Sequence, residues 1–507
     1  MQTLNTKNTQ HKTQPIVEKR TEQSANTRAD HPVPTYLSRI TSKITITVGL
    51  LFLVVFAIWC YQAFERGTTT VAHKNESGFV LTNVNVLTMA DDTVLEAKTV
   101  VVRNGIISDI LNSNDTIPTD LPIIQGHGRY VMPGLIDLHV HVLDRSYAKS
   151  ALAAGVTTVR NMGGFPYHLK WRDELENAYW YGANIVTSSP IMNSVEQGDP
   201  LSHFRVDDPL LAREAVRDFI DQGYDFIKVY EGLNAQTYAA ILDEASKLNI
   251  AIAGHPSYDL MASAPEKHGA LRTFEHIEEV YDGFLNREQN NELATAAAQF
   301  LSKQGVVLVP TLAVNRELTR LSSEKQAYFS QLDLDAINPF VRAIYEETSF
   351  NRWLNASPEL AAYNVSTDTY FHELTRLMDN HNVKMGMGSD AGALVGLPGP
   401  ASIEEMLLMA EAGVAPYTIL KSATTHAAYV LFKGDTLGQL APGFTADMVV
   451  LNDNPVTALN TLREPAMVIQ NGRVFNQNDL RVLKQEAHEH ASWLLSVSRH
   501  LNYLIFG

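Results

Sequence analysis

The sequence predicts an α/β fold: a (β/α)8 TIM-type barrel, a small β-sandwich domain formed from both ends of it, and one transmembrane helix before them. Three observations predict this arrangement. Eight short apolar segments alternate with helix-like stretches over residues 134–430, as successive βα units do. Alternating strand-like sequence lies on either side, at 78–133 and 431–476. An apolar run at 44–64 precedes both regions.

Residues 1–64 have the pattern of a membrane signal anchor. The polar leader 1–43 carries seven Lys and Arg against three Asp and Glu, and 44–64 contains no charged residue. As a helix, such a run crosses the roughly 30 Å hydrocarbon core of a bilayer. The basic flank predicts a cytoplasmic leader and an exported remainder, periplasmic if the cell is a Gram-negative bacterium. Thr70-Val71-Ala72 is only a weak signal-peptidase site, so we expect an uncleaved anchor.

The composition excludes several classes of function. With 40 Lys and Arg against 56 Asp and Glu, the net charge is -16. An acidic chain repels phosphate, which argues against nucleic-acid binding. The single cysteine, Cys60, excludes an internal disulfide, a cysteine zinc site and an iron–sulfur cluster. Metal chemistry in the exported part must therefore use His, Lys and Asp.

Eight segments are the predicted barrel strands. They are Leu135–Val140, Thr157–Arg160, Asn184–Thr187, Phe226–Tyr230, Ile250–Ala253, Arg272–Glu275, Val306–Val309 and Lys384–Met387. The interval 310–383 is helix-like and predicts an insertion near the barrel mouth, because βα loops carry function in barrels. The tail 483–507 predicts a C-terminal helix that packs on the domain, on a dimer partner or in the membrane plane.

The strongest chemical signal is a His-x-His pair, His139 and His141, at the end of the first predicted strand. Side chains at i and i+2 of a strand face the same side. Both imidazoles therefore point into the barrel at its C-terminal end, where they can share one divalent metal ion. A second pair, His488 and His490, lies in helix-like sequence, where i and i+2 diverge. We expect that pair to be a solvated helix face.

Four residues at later strand ends suit the same metal site. Lys228 lies within an apolar strand, where burial favours a neutral amine that can react with CO2 to form a carbamate able to bridge two cations. His255 and His276 end the fifth and sixth predicted strands, and Asp390 ends the eighth. Four imidazoles, a carbamate and a carboxylate suit two borderline divalent ions, with zinc ahead of manganese, cobalt or iron.

Together these residues resemble the binuclear subtype of the amidohydrolase superfamily, in its imidazolonepropionase-like and Xaa-Pro-dipeptidase-like branch. The resemblance covers about residues 78–475 and rests on the segments VMPGLIDLHVH, AAGVTTVRNMGG, GYDFIKVYEGL, AGHP, FEHIEE, GSDAG and LGQLAPGFTADMVVLNDNP. It implies one metal ion bound by His139, His141 and Asp390 and a second bound by His255 and His276. Carboxylated Lys228 would bridge them. A hydroxide between the ions would attack a carbonyl carbon while Asp390 carries its proton to the leaving nitrogen.

The resemblance implies an enzyme that hydrolyses amide bonds, with dipeptides or N-acyl amino acids as expected substrates. Tyr230 and Arg160 are candidates to bind a substrate carboxylate or carbonyl; core packing and internal ion pairing are the respective alternatives. Three alternatives to this function stay open: hydrolysis of a cyclic amide or lactone, deamination of a ring, and a non-enzymatic role as a membrane-tethered scaffold. The expected partners are the small-molecule or peptide substrate and the membrane, and a homo-oligomer is left open.

Overall fold

The structure is a computed structural model that describes residues 46–57, 61, 65–72, 77–263 and 265–506. The chain divides into two compact units, 1–58 and 59–507. In the first unit, residues 46–57 are helical and are called α1. Across the described ranges, no helix is both long and apolar enough to cross a membrane. The predicted leader 1–43 and part of the predicted anchor 44–64 lie outside the described residues, so both stay predictions.

Strands and helices alternate through the second unit. Its strands are β1 (Gly78–Leu87), β2 (Val94–Arg103), β3 (Ile106–Leu111), β4 (Ile123–Pro133), β5 (Leu135–Val140), β6 (Val156–Asn161), β7 (Asn184–Thr187), β8 (Ile191–Asn193), β9 (His203–Arg205), β10 (Ile227–Val229), β11 (Ile252–Gly254), β12 (Thr273–Glu275), β13 (Val307–Val309), β14 (Met448–Leu451), β15 (Met467–Gln470) and β16 (Arg473–Asn476).

The helices of this unit lie mainly between the strands of its middle part. They are α2 (Arg145–Ala153), α3 (Pro166–Glu176), α4 (Pro209–Gln222), α5 (Ala235–Leu248), α6 (Tyr258–Ser263), α7 (Ile277–Glu279), α8 (Asn291–Gln304), α9 (Leu312–Ser323), α10 (Gln326–Phe329), α11 (Pro339–Tyr345), α12 (Asn351–Leu354), α13 (Pro358–Asn380), α14 (Pro400–Glu411), α15 (Pro416–Ser422), α16 (Thr425–Val430), α17 (Gln477–Glu486) and α18 (Trp493–Phe506).

Both ends of the second unit contribute to one seven-stranded mixed sheet, in the order β16-β15-β14-β4-β1-β2-β3. β1 pairs antiparallel with β2 and parallel with β4, and β4 pairs antiparallel with β14. Phe79 of β1 and Met448 of β14 lie in one buried apolar cluster. Asn471 and Gly472 both have positive φ and make the two-residue turn between β15 and β16. Burial of apolar side chains from both ends thus holds distant parts of the chain in one layer.

Seven of the eight segments predicted as barrel strands lie in two parallel sheets, β5-β6-β7 and β13-β12-β11-β10-β8-β9. The sequence did not indicate β8 and β9. Single parallel bridges link the sheets: Ser188 to Phe226 at one edge, and Leu308 to Met385 and Val140 to Ala391 at the other. Because these pairings are parallel, the carboxyl ends of the strands lie on the same side. A closed barrel stays a prediction, which these bridges support.

The eighth predicted strand, Lys384–Met387, is not a regular strand. The segment instead makes single backbone contacts with β13 and β5, ending with Asp390 N donating to His139 O at 2.8 Å. Glycine permits this close approach. A Cβ on Gly388 would lie 2.4 Å from Val309 Cγ1 and 2.8 Å from His139 Cβ.

Replacing Gly388 by alanine is expected to lower the free energy of unfolding by about 1–3 kcal/mol, the cost of overpacking an interior. The added methyl group would push the segment away from β5 and displace Asp390, so activity should fall as well. Urea unfolding of Gly388→Ala and Gly434→Ala tests this. Gly434 is the matched control, because its Cβ would meet only Tyr429 Cα, at 3.9 Å. Equal unfolding midpoints for the two variants would contradict the prediction.

The insertion 310–383 is helical, as the sequence indicated, and contains α9 to α13. The Tyr345 hydroxyl, at the end of α11, donates a hydrogen bond to Gly392 O. Gly392 lies two residues after Asp390, so the insertion reaches the carboxyl ends of the parallel strands. The helices therefore lie beside the predicted site and can shape its entrance.

The tail corrects two expectations. The predicted single helix 483–507 is two helices, α17 and α18. The interpretation of His488 and His490 as a solvated helix face is wrong in part, because both rings contact the insertion. His488 Nε2 lies 3.0 Å from Asp333 Oδ2, and His490 Nε2 lies 2.9 Å from Asp335 O. Helical spacing alone says nothing about a partner from another part of the chain.

Candidate metal centre

All six predicted metal ligands lie at or near the carboxyl ends of the parallel strands: His139, His141, Lys228, His255, His276 and Asp390. β5 carries the first histidine and immediately precedes the second, and β10 carries the lysine at its middle position. The next two histidines directly follow β11 and β12. The aspartate lies in the segment that joins β13 to β5. Strand direction therefore brings these residues to one side of the sheets.

Three imidazoles and the Asp390 carboxylate converge. Asp390 Oδ1 lies 3.4 Å from His139 Nε2 and 3.1 Å from His141 Nε2. The ring centroids of His139 and His276 are 4.6 Å apart. Ligand atoms of His139, His276 and Asp390 all lie within 4.8 Å of one another. At this spacing one cation can contact all three groups.

His255 connects this group to a second one. Its ring centroid lies 4.7 Å from that of His276. Its Nδ1 lies 2.9 Å from both Glu231 Oε2 and Glu279 Oε1, and these three residues form a second group able to hold a metal ion. Neither glutamate was predicted from the sequence. Glu231 directly follows Tyr230, and Glu279 lies in the FEHIEE segment, so proximity to predicted site residues was the available signal.

Lys228 is 0% exposed, and its Nζ lies 5.2 Å from the centroid of the Tyr230 ring. Burial lowers the pKa of Lys228 to about 8, although the carboxylates of Glu275 and Asp390 act in the opposite direction. An ordinary lysine has a pKa of about 10.4, so more of this amine is neutral near pH 7. The neutral amine is the form that can react with CO2.

Within the part of the chain that the structure describes, four buried polar atoms at this centre make no hydrogen bond of good geometry: Lys228 Nζ, His255 Nδ1 and Nε2, and Asp390 Oδ1. His255 Nδ1 and Asp390 Oδ1 have only the close neighbours given above. Each unsatisfied group costs about 1–3 kcal/mol, so several together are unusual in a native interior. Divalent cations would satisfy them, since imidazole nitrogen and carboxylate oxygen suit zinc and similar ions. The residues present therefore fit a metal centre.

Burial and neighbouring charges set the protonation states of three candidate ligands, His139, His276 and Asp390. Burial lowers the pKa of His139 to about 4, although Asp390 acts in the opposite direction, and it holds the pKa of His276 well below its usual range. Burial alone would raise the pKa of Asp390, but His139 and His141 more than offset this and hold it below its usual range. Neutral nitrogen donors and an ionised carboxylate are the states that metal binding needs.

A glutamate that the sequence argument missed orients the His139 ring. Glu275 Oε2 lies 2.7 Å from His139 Nδ1, and all of these atoms are buried. With its Nδ1 proton donated to Glu275, His139 presents Nε2 to Asp390 and to a metal ion, as metal-binding histidines commonly do. An acidic residue at the end of a predicted strand, directly before a predicted ligand, was the signal that could have found it, because such a residue is rarely buried without a partner.

Arg160 makes three hydrogen bonds within the protein core. Its Nη2 donates to Glu275 Oε1 at 2.7 Å, and its Nη1 donates to Thr273 Oγ1 at 3.0 Å. Its Nε donates to Leu138 O at 2.5 Å. These contacts favour the alternative left open for Arg160, an internal ion pair that holds Glu275 in place. A contact of Arg160 with substrate stays a prediction.

Tyr230 does lie at the centre. Its ring stacks on His255, with centroids 4.0 Å apart and planes inclined by 20°. The ring of His203, at the start of β9, lies 5.1 Å from that of Tyr230. The geometry places the tyrosine beside a predicted metal ligand, and its contact with substrate stays a prediction.

Three residues of the centre have a left-handed backbone: His276 (φ 66°), Thr311 (φ 54°) and Asp390 (φ 54°). This conformation is uncommon outside glycine, and for a β-branched residue such as Thr311 it is an outlier. Thr311 Oγ1 lies 2.7 Å from His276 Nδ1, so the strained position aims a hydroxyl at the back of a candidate ligand. Such strain is typical of sites whose side chains must be held in one place.

Glu275→Gln is expected to weaken metal binding by about 10- to 100-fold, the usual cost of removing a carboxylate behind a metal-binding histidine. The amide accepts a weaker hydrogen bond from His139 and leaves Arg160 without its counter-charge. Competition against a chelator measures the affinity. Glu292→Gln, at an exposed position of α8, is the matched control. An unchanged affinity in Glu275→Gln would contradict the proposed support of His139.

Comparison with known proteins assigns the family. The sequence profile of the amidohydrolase family matches residues 130–475, more than half of the chain. A dihydroorotase from Halalkalibacterium halodurans is 26% identical over 197 residues, which are 36% of this chain and 43% of the relative. The chain thus spans less than half the length of this curated relative.

Two solved structures share the fold over most of their length. A prolidase complexed with N-methylphosphonate-L-proline has a TM-score of 0.62 at 24% identity, with 79% of this chain and 99% of that chain covered. A Xaa-Pro dipeptidase with methionine bound in its active site has a TM-score of 0.61 at 20% identity, with 79% and 100% covered. The profile match and this shared fold agree with the buried centre, and the chain belongs to the amidohydrolase family.

Proposed function

We propose that the enzyme hydrolyses peptide-like amide bonds in dipeptides or N-acyl amino acids. It would use two divalent metal ions, of which zinc is the most favoured. One observation carries the proposal. Four histidines, Asp390 and the unpartnered amine of Lys228 lie together in a buried centre at the carboxyl ends of parallel strands. We also propose that the single bridges between the two parallel sheets close a (β/α)8 barrel around this centre.

The proposed ligand sets follow the contacts. His139, His141 and Asp390 would hold one ion, because Asp390 Oδ1 lies within 3.4 Å of Nε2 of both histidines. His255 and His276 would hold the other, and carboxylated Lys228 would lie between the ions. Metal ions in such a site polarise a carbonyl group and lower the pKa of bound water.

The protein's own side chains would bind the substrate and move the proton. Asp390 carries the proton from the attacking water to the leaving nitrogen, because its carboxylate is ionised and faces the imidazoles. Glu275 and Thr311 keep His139 and His276 oriented through Nδ1. Tyr230 binds the carboxylate or carbonyl end of the substrate from its position on the His255 ring.

Hydrolysis of a cyclic amide is the second candidate. The sequence match to a dihydroorotase favours it, although that match covers 36% of this chain. Dihydroorotate therefore belongs among the test compounds, and adenine represents the deamination alternative.

The test is a substrate panel on the full chain, first stripped of metal with a chelator and then loaded with zinc. Dipeptides and N-acyl amino acids are the expected substrates, with activity absent in the stripped protein and restored by zinc. Turnover of dihydroorotate alone would support the second candidate. A zinc-loaded protein that cleaves no compound of the panel would overturn the proposal.

A further inference from the structure

Two glutamates converge on one nitrogen atom at the metal centre. His255 Nδ1 lies 2.9 Å from Glu231 Oε2 and 2.9 Å from Glu279 Oε1. An imidazole nitrogen carries at most one proton, which serves one acceptor in a good hydrogen bond. One of the two carboxylates is therefore not needed to orient His255.

Glu279 is the carboxylate placed to orient the ring. Its Oε1 faces His255, and its Oε2 accepts a hydrogen bond from the Tyr258 hydroxyl at 2.8 Å. Its side chain is 9% exposed. One oxygen of Glu279 is thus fixed by Tyr258 while the other faces the ring, which is the arrangement expected of a carboxylate that holds a metal-binding histidine.

Glu231 lacks this support. Its side chain is 27% exposed, and apart from the contact with His255 Nδ1 no described residue offers a donor to its buried Oε2. It follows Tyr230, whose ring stacks on His255, so the carboxylate lies beside the place proposed for substrate. A carboxylate that is partly open to the site and short of donors is suited to a cationic ligand.

His255 gives an independent sign that a ligand belongs here. The residue is 8% exposed, and among the described residues its Nε2 has no hydrogen-bond partner, while its Nδ1 has only the two carboxylates, neither in good hydrogen-bond geometry. A metal ion would satisfy Nε2, and Glu279 would satisfy Nδ1. Glu231 Oε2 would then be the buried polar atom still lacking a partner, and a charged N–H donor from a ligand would supply it.

We propose that Glu231 binds the free α-ammonium group of a dipeptide and so selects dipeptides over N-acyl amino acids. The inference rests on the proposed amide hydrolysis and narrows its substrate class. In a dipeptide the ammonium nitrogen is two bonds from the carbonyl carbon that is attacked. The carboxylate of Glu231, next to the candidate ligand His255, would therefore lie close to that nitrogen in the bound dipeptide. An N-acyl amino acid has no positive charge at this position and would leave Glu231 unpaired.

The experiment compares one dipeptide with its N-acetylated form, which has the same scissile bond, and measures both turnover and binding. Binding uses the two matching phosphinate analogues and calorimetry on the zinc-loaded full chain. The wild type should favour the free amine by about 10- to 100-fold in kcat/KM and in Kd, the value of a charge-assisted hydrogen bond. Glu231→Gln should abolish this preference, mainly through a higher KM for the free dipeptide. Its values for the N-acetylated compound should stay within about twofold.

Glu288→Gln, at an exposed position between α7 and α8, is the matched control and should keep the wild-type preference. Equal kcat/KM values of the wild type for the two peptides, together with equal Kd values for the two phosphinates, would overturn the inference. So would an equal loss for both compounds, or a lower metal content, in Glu231→Gln, because Glu231 would then orient or bind the metal. If neither compound is cleaved, the proposed function fails, and the binding of the phosphinates still decides whether Glu231 selects an amine.

Discussion

Lys228→Ala is expected to lower kcat/KM by about 10³-fold, a loss typical of removing one essential charged group from a preorganised site. The lysine is fully buried among the candidate ligands, and its Nζ has no hydrogen-bond partner. Without the carbamate proposed on this amine, two neighbouring cations would lose the anion between them, and their repulsion would be less compensated. The zinc content per chain, measured by elemental analysis, should fall together with activity.

Chemical rescue separates this role from simple damage to the core. Acetate or propionate fits the space that the lysine stem leaves and supplies a carboxylate, so it should restore part of the activity of Lys228→Ala. It should not rescue Lys228→Met, whose side chain fills that space. Lys247→Ala, at an exposed position of α5, should behave as the wild type. Full activity and full zinc content in Lys228→Ala would refute the proposed bridge.

Asp390→Asn is expected to lower kcat by about 10²- to 10⁴-fold, the usual contribution of a positioned acid–base group. The amide keeps the shape of the side chain but cannot take up a proton. It can still donate an oxygen to a metal ion, so zinc content should fall less than in Lys228→Ala. KM should change little if substrate is bound mainly by other groups.

Steady-state kinetics and zinc analysis on the same samples test this second prediction. Asp218→Asn, on the exposed face of α4, is the control. A variant Asp390→Asn that retains kcat but binds substrate poorly would assign the aspartate to substrate binding and not to proton transfer. If Asp390→Asn loses as much zinc and as much activity as Lys228→Ala, the main role of Asp390 is to bind metal and not to transfer the proton.

Much of the centre could be predicted because its residues follow local rules. His139 and His141 share a strand face by alternation, and Lys228 is conspicuous as a cation in an apolar run. His255 and His276 come directly after apolar segments that the structure shows as β11 and β12. Each of these signals lies within a few residues of chain, so no knowledge of distant contacts was needed.

The supporting groups could not be predicted in the same way. Glu275 and His139 are 136 positions apart in the chain, and Thr311 and His276 are 35 apart. Arg160 shows the same difficulty, since a cation at a strand end suits a substrate carboxylate as well as an internal one. Only the packed structure shows that Glu275 already occupies its guanidinium.

The sequence by itself determined the family and predicted the hydrolytic chemistry and the candidate ligands, because motifs and strand alternation are properties of short segments. The tertiary structure decided which acid supports which histidine and why the segment before Asp390 is not a regular strand. It also decided that Glu231 and Glu279 meet at His255. These features depend on packing between distant parts of the chain, where a close approach such as that of Gly388 to β5 sets the geometry.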